Sequence, residues 1–163
     1  MPVVIQAQNT EVMTWKECQY LLGTKVGEIG FFSFVDTSQK PLVCPVTFAL
    51  FDGNLYLACC DPLAVEATRQ GSQGSLGVVS KNPSGSHLSW SVVAQGNSQV
   101  LDKPDISDWS GAKLADVLDV SSGASVIRLT LDSLTGFRYV TPSVEDDVLA
   151  SPSQTMAATI TSI

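Results

Sequence analysis

The sequence predicts a mainly β protein with short helices, built as a small six-stranded antiparallel barrel. Three observations lead there. Short apolar segments rich in β-branched and aromatic residues recur along the chain, and Gly, Pro, Asn or Asp separate them. The helix-like stretches between them are few and short, and closing such a sheet on itself removes its exposed edges.

Residues 1–12 read as an N-terminal lead-in. Thr14-Trp-Lys-Glu17 then forms a capping box, in which the Thr14 hydroxyl accepts from the Glu17 amide and the Glu17 carboxylate reaches back. The spacing predicts a helix to about Leu22, with Gly23 as its C-terminal cap. The first strand runs from Val26 to Val35 and ends at the polar turn Asp36–Lys40, so it pairs with Pro41–Leu50 as a hairpin. Phe51-Asp-Gly-Asn54 carries the Asp-Gly turn signal into a third strand, Leu55–Cys60, completing a meander.

Pro62–Gln70 reads as a helix with proline in its first turn, stopped by Gly71-Ser-Gln-Gly74. A short strand covers Ser75–Ser80, a loop covers Lys81–His87, and a long strand through Trp90 reaches Val100, where Gly96 marks a bend or bulge. Between Asp105 and Leu118 apolar residues recur at three- and four-residue spacing, which predicts an amphipathic helix packed on the barrel. Two further strands follow, Ala124–Leu131 and Gly136–Val140, and the barrel domain spans 13–141. The Ser-, Thr- and Ala-rich stretch 142–163 reads as a flexible tail.

With 163 residues, of which 44% are hydrophobic, the chain has enough apolar side chains for one sizeable core and one domain. Nine basic residues against a net charge of −7, without clustering, argue against a nucleic-acid surface. No apolar run reaches the ~20 residues that cross a bilayer, and no basic-then-apolar leader opens the chain, which points to a cytoplasmic protein away from membranes. Cys18, Cys44, Cys59 and Cys60 lack the spacing of a metal site, so the bland reading is reduced thiols. No metal is implied.

The ordered set Thr14-Trp-Lys-Glu-Cys-x-x-Leu-Leu22, Val26-Gly-x-Ile-Gly30, Val43-x-Pro-Val46, Asp52-Gly-x-Leu-Tyr56 and Trp90-Ser-Val-Val-x-x-Gly96 resembles the pyridoxamine 5'-phosphate oxidase-like flavin-binding proteins. Val126-Ile-Arg-Leu129 and Thr135-Gly-x-Arg138 resemble that family's closing strands. The resemblance implies a split β-barrel homodimer with FMN at the subunit interface, the ring lying along Pro45, Val46 and Thr47. It implies a flavin-dependent oxidoreductase acting on a small molecule, in which the protein positions and tunes the cofactor. Relatives of the family exchange FMN for a deazaflavin or haem.

The cofactor-binding candidates on this resemblance are Pro45, Val46, Thr47, Cys59, Cys60, Ala64, Trp90 and Gln95. Two of them depart from the family pattern. Ala64 falls where the family's phosphate-binding Lys stands, and Gln95 replaces a basic residue. Each charge-assisted hydrogen bond contributes ~1.5–3 kcal/mol, so two losses weaken a phosphate grip by orders of magnitude. Amides at Pro62–Val65 offer a helix N-terminus in partial compensation. The alternative function is a cofactor-degenerate dimer that binds a ligand or protein without catalysis.

The remaining motifs carry less. His87 is the one histidine, and no Gly-x-Ser-x-Gly turn presents a nucleophile beside it, so it reads as a polar loop residue. Gly23-Thr-Lys25 lacks the glycine-rich loop of a phosphate cradle and reads as a helix stop. Trp90 suits stacking on a ring or burial at an interface, while Trp15 and Trp109 read as packing anchors. Cys59 and Cys60 lie near the implied cleft, where a nearby cation would make a redox-active thiol, but Asp61 pushes the other way and small apolar filler is their simpler role.

Overall fold

The computed structural model describes residues 9–25, 27–81, 88–101, 118 and 123–140. Its strands are β1 (Asn9–Val12), β2 (Ile29–Val35), β3 (Pro41–Phe51), β4 (Asn54–Cys59), β5 (Gln73–Lys81), β6 (Leu88–Leu101), β7 (Ser125–Thr130) and β8 (Ser133–Val140). Helix α1 (Trp15–Thr24) precedes β2, and α2 (Pro62–Arg69) joins β4 to β5. All pairings are antiparallel, in the order β1-β8-β6-β5-β2-β3-β4-β7. A further β6–β7 pairing closes six of these strands into a barrel.

The split follows from β6, which is long enough to serve two neighbours on one edge. Its first half pairs with β8, from Trp90↔Arg138 to Gln95↔Ser133, and its second half pairs with β7, from Ser98↔Leu129 to Leu101↔Val126. At the junction the Asp132 amide donates to the Gln95 carbonyl at 2.9 Å. β7 leaves to join β4, and β8 leaves to join β1.

Local sequence explains most boundaries. The Thr14 amide donates to the Glu17 carboxylate at 2.7 Å, and the Glu17 amide donates to the Thr14 hydroxyl at 3.4 Å, so the capping box is formed. Asp52 and Gly53 both have positive φ, +47° and +74°, and the flanking residues Phe51 and Asn54 pair directly. This is a two-residue primed hairpin turn, whose twist matches the strands it joins. In the β2–β3 turn, Asp36 Oδ1 accepts from the amides of Ser38 and Lys40, each at 2.8 Å.

The expected six-stranded antiparallel barrel is present, and β1 and β8 extend the sheet beyond the closed six. Two expectations are corrected. The lead-in contains a strand, because residues 9–12 find the free edge of β8. Helix α1 runs through Gly23 to Thr24 and is capped at Lys25, whose amide donates to the Leu22 carbonyl. The helix predicted over 105–118, apart from Leu118, the loop from 82 to His87, and the tail 142–163 lie outside the described residues.

The core fills the barrel with inward side chains from every closing strand, among them Phe32, Phe48, Leu57, Leu76, Val92 and Ile127, all fully buried. Phe32 and Phe34 stack with ring centroids 5.8 Å apart. Cys18 and Leu22 of α1 and Ala64 and Ala67 of α2 join this cluster. A second cluster lies on the opposite face of β3, β4 and β7, where Ala49, Tyr56, Ala58 and Val126 pack with Leu118. Strand β4 is therefore buried on both faces. Among the described residues no helix is long and apolar enough to cross a membrane.

Candidate functional site

Strand alternation places Cys44, Val46 and Phe48 inside the barrel and turns Pro45 and Thr47 outward. Thr47 faces Ile29 on one side and Ala58 on the other in the sheet register. Together with Val46, Cys60, Leu118 and Ala124 these residues line an open cleft of about 220 Å³. None of them carries a charge at neutral pH in its ordinary state. The Thr47 hydroxyl donates to the Leu118 carbonyl at 3.2 Å, which pins Leu118 over the cleft and leaves the Thr47 oxygen as an acceptor toward a ligand.

Of the eight sequence candidates, Pro45, Val46, Thr47 and Cys60 come together at this cleft. Cys59 lies behind it, 1% exposed, with Sγ 3.8 Å from Cys44 Sγ. Ala64 is elsewhere: its methyl is fully buried on the inner face of α2. Trp90 packs in the main core rather than against the cleft. Gln95 is exposed beside Ser75 and Ser133 in the register, and lines a separate groove of about 380 Å³ with Ser33 and Asp132. Sequence reasoning missed Ile29, Ala58, Leu118 and Ala124. The first two were readable as the cross-strand partners of Thr47 once the hairpin registers were fixed.

The α2 N-terminus is already occupied. Asp61 is its N-cap, and the Asp61 carboxylate accepts from the Leu63 amide at 2.9 Å, while the Val65 amide donates to the Asp61 carbonyl at 3.2 Å. Pro62 has no amide proton to give. A carboxylate at this point repels an anion, so the compensation expected from Pro62–Val65 is not offered.

The arginines of β7 and β8 are engaged by other side chains. Arg138 pairs with Glu17 at 3.4 Å and with Glu11 at 3.9 Å, and Arg128 donates to Gln99 Oε1 at 2.6 Å. Among the described residues no group of three or more metal-binding side chains gathers.

The thiols respond to their surroundings. Cys44 and Cys59 share a hydrogen bond in which either sulfur can donate, and with Cys59 as acceptor it holds the Cys59 thiol below its ordinary range against the opposing effect of burial. The same bond, with burial, pushes Cys44 up.

Next to the cleft the outer face of the sheet is apolar and open. Ile29 is 64% exposed, Phe31 51% and Val43 61%, and Val79 and Val93 continue the patch. The register sets Pro45, Phe31, Gly77 and Val93 in one row across four strands.

No family model matches the chain, and no curated protein matches it. Solved structures do. An FAD-binding protein from Mesorhizobium loti superposes with a TM-score of 0.70 at 18% identity, covering 83% of this chain and all of that one. An FAD- and haem-binding protein from Mycobacterium smegmatis gives 0.61 at 13% identity, covering 96% and 89%. A provisionally assigned pyridoxamine 5'-phosphate oxidase from Corynebacterium glutamicum gives 0.56 at 17% identity, covering 80% and 93%. The chain therefore has the split-barrel fold that these proteins share.

Proposed function

We propose that this chain is one half of a homodimeric, FMN-binding split barrel, an oxidoreductase acting on a small molecule, in which ring contacts outweigh phosphate contacts. The observation that carries the reading is the uncharged cleft over Pro45, Val46 and Thr47, continuous with the exposed apolar face at Ile29. Small-molecule sites usually enclose ~300–1,000 Å³, and this cleft offers about 220 Å³ with one flank open. A second copy laid over Phe31 and Val43 supplies the missing wall and covers apolar surface that otherwise faces water.

The residues fit the two parts of the cofactor unequally. Ile29 and Ala58 suit a planar ring by shape and polarity, and the Thr47 oxygen accepts from a ring N–H. The phosphate finds no cation among the lining residues, and Asp61 closes the nearest helix end. A bound flavin supplies the two-electron chemistry. The chain's part is to hold the ring, to exclude water with Leu118 and Ala124, and to offer the Cys60 thiol, which among the described lining residues is the proton-carrying side chain besides Thr47.

Fluorescence titration with FMN and with riboflavin tests the reading. Both bind, with dissociation constants within about tenfold, since ~1.4 kcal/mol is all the unaided phosphate adds. A protein that quenches neither flavin rejects it. The Asp61 cap favours a second reading, the non-catalytic binding module, which is selected if the dimer persists and flavins do not bind.

A further inference from the structure

We propose that Cys44 and Cys59 form a redox dithiol that closes to an internal disulfide by exchange with low-molecular-weight disulfides, with Cys60 as the solvent-facing thiol that admits the exchange. The flavin reading does not use these residues as a pair, and the proposal stands or falls apart from it.

Pairing between β3 and β4 ends at Thr47↔Ala58, and beyond it both strands keep side chains in the core at Cys44 and Cys59. The two sulfurs meet at 3.8 Å with no residue between them. A disulfide needs ~2.05 Å, a closure of under 2 Å that falls to rotation of the two side chains, because register pairs Cys44 with Phe32 and Cys59 with Ser125. With Cys44 as the donor of that contact, the Cys59 thiolate, the form that attacks, is favoured.

Both sulfurs are buried, so an external oxidant needs an intermediary. Cys60 is exposed, lines the cleft and is the next residue along the chain. In the first exchange the Cys60 thiolate attacks a disulfide RSSR, forming a Cys60–SR bond and releasing one thiolate. The Cys59 thiolate attacks the Cys60 sulfur and expels the second thiolate. Cys44 then attacks the Cys59 sulfur, and Cys60 returns as a free thiol. Two protein thiols have lost two electrons and two protons, and RSSR has become two RSH. The adjacent Cys59–Cys60 bond is strained and serves only in passing.

Cys18 is a control within the chain. It is buried on the inner face of α1 beside Gly136, and burial pushes its thiol up.

The test is incubation of the reduced full chain with mixtures of reduced and oxidised glutathione at neutral pH, an acid quench, alkylation and peptide mass mapping. The expected product is a Cys44–Cys59 crosslink with Cys18 alkylated, and Cys60→Ser reaches that same product at least tenfold more slowly. Cys60 is at the surface, so this variant folds, and circular dichroism verifies it. Three results overturn the proposal: glutathione left on Cys60 with Cys44 and Cys59 free, a Cys59–Cys60 bond as the end product, or an unchanged rate in Cys60→Ser.

Discussion

A β-carbon on Gly96 would overlap the carbonyl oxygen of Thr130 and stand 3.2 Å from the Asp132 amide nitrogen. These are backbone atoms of the β7–β8 junction, held by the Asp132 to Gln95 hydrogen bond, so they cannot move aside cheaply. Gly53 differs: it has φ +74° and nothing within 4 Å. Gly96→Ala is expected to cost at least about 2 kcal/mol through overpacking. Gly53→Ala costs about 1 kcal/mol through its left-handed backbone alone. Denaturant titrations of both variants measure the contrast, and equal costs would contradict the account of the split.

The capping box predicts a stability loss of about 1 kcal/mol for Thr14→Ala, read from the same titrations. It also predicts a pH dependence. The Thr14 amide and then its hydroxyl hold the Glu17 carboxyl below its ordinary range, with Arg138 adding to the effect. A lowered folded-state value means that the ionised form is stabilising. That contribution is complete above the unfolded value of ~4.3 and is lost as pH falls through the folded value. Melting temperatures below about pH 4.3 should therefore fall more steeply for the wild type than for Glu17→Gln.

Two lysine substitutions on α2 separate the residue that resembles the family's lysine position from the one that reaches solvent. Ala64 is fully buried, whereas Leu63 is 57% exposed. Ala64→Lys buries an unpaired ammonium and should cost about 3–5 kcal/mol. Leu63→Lys should leave stability within about 0.5 kcal/mol. If the phosphate of FMN lies near this helix end, Leu63→Lys also tightens FMN over riboflavin by about tenfold.

Phe31 sits at the centre of the open apolar row, with Pro45 and Gly77 as its register partners. In a two-fold dimer one substitution acts twice. Phe31→Glu removes ~1.5 kcal/mol or more of burial from each side, which weakens association at least about 100-fold. Sedimentation velocity should show the wild type as a dimer and the variant as a monomer. A monomeric wild type at all accessible concentrations would sink the shared-site reading.

Much of this molecule was legible in the chain because its signals are local. Thr14 and Glu17 are three residues apart, and Asp52-Gly53 can hardly make another turn. These features fixed the start of α1 and the β3–β4 hairpin, whereas Pro41–Phe51 is apolar nearly throughout and packing decided which of its side chains face inward. What remained hidden depends on partners far away in sequence. Strand β1 exists because β8 leaves an edge for it, and Leu118 reaches the cleft through a hydrogen bond spanning 71 positions. Ala64 and Leu63 are neighbours in sequence, and only the packing of α2 on the barrel decided which one enters the core. Cys44 and Cys59 are unremarkable at fifteen positions apart until barrel closure turns both side chains inward and brings their sulfurs to 3.8 Å. Local chemistry thus determined the elements. Long-range closure, where inward side chains compete for one enclosed volume, decided the site.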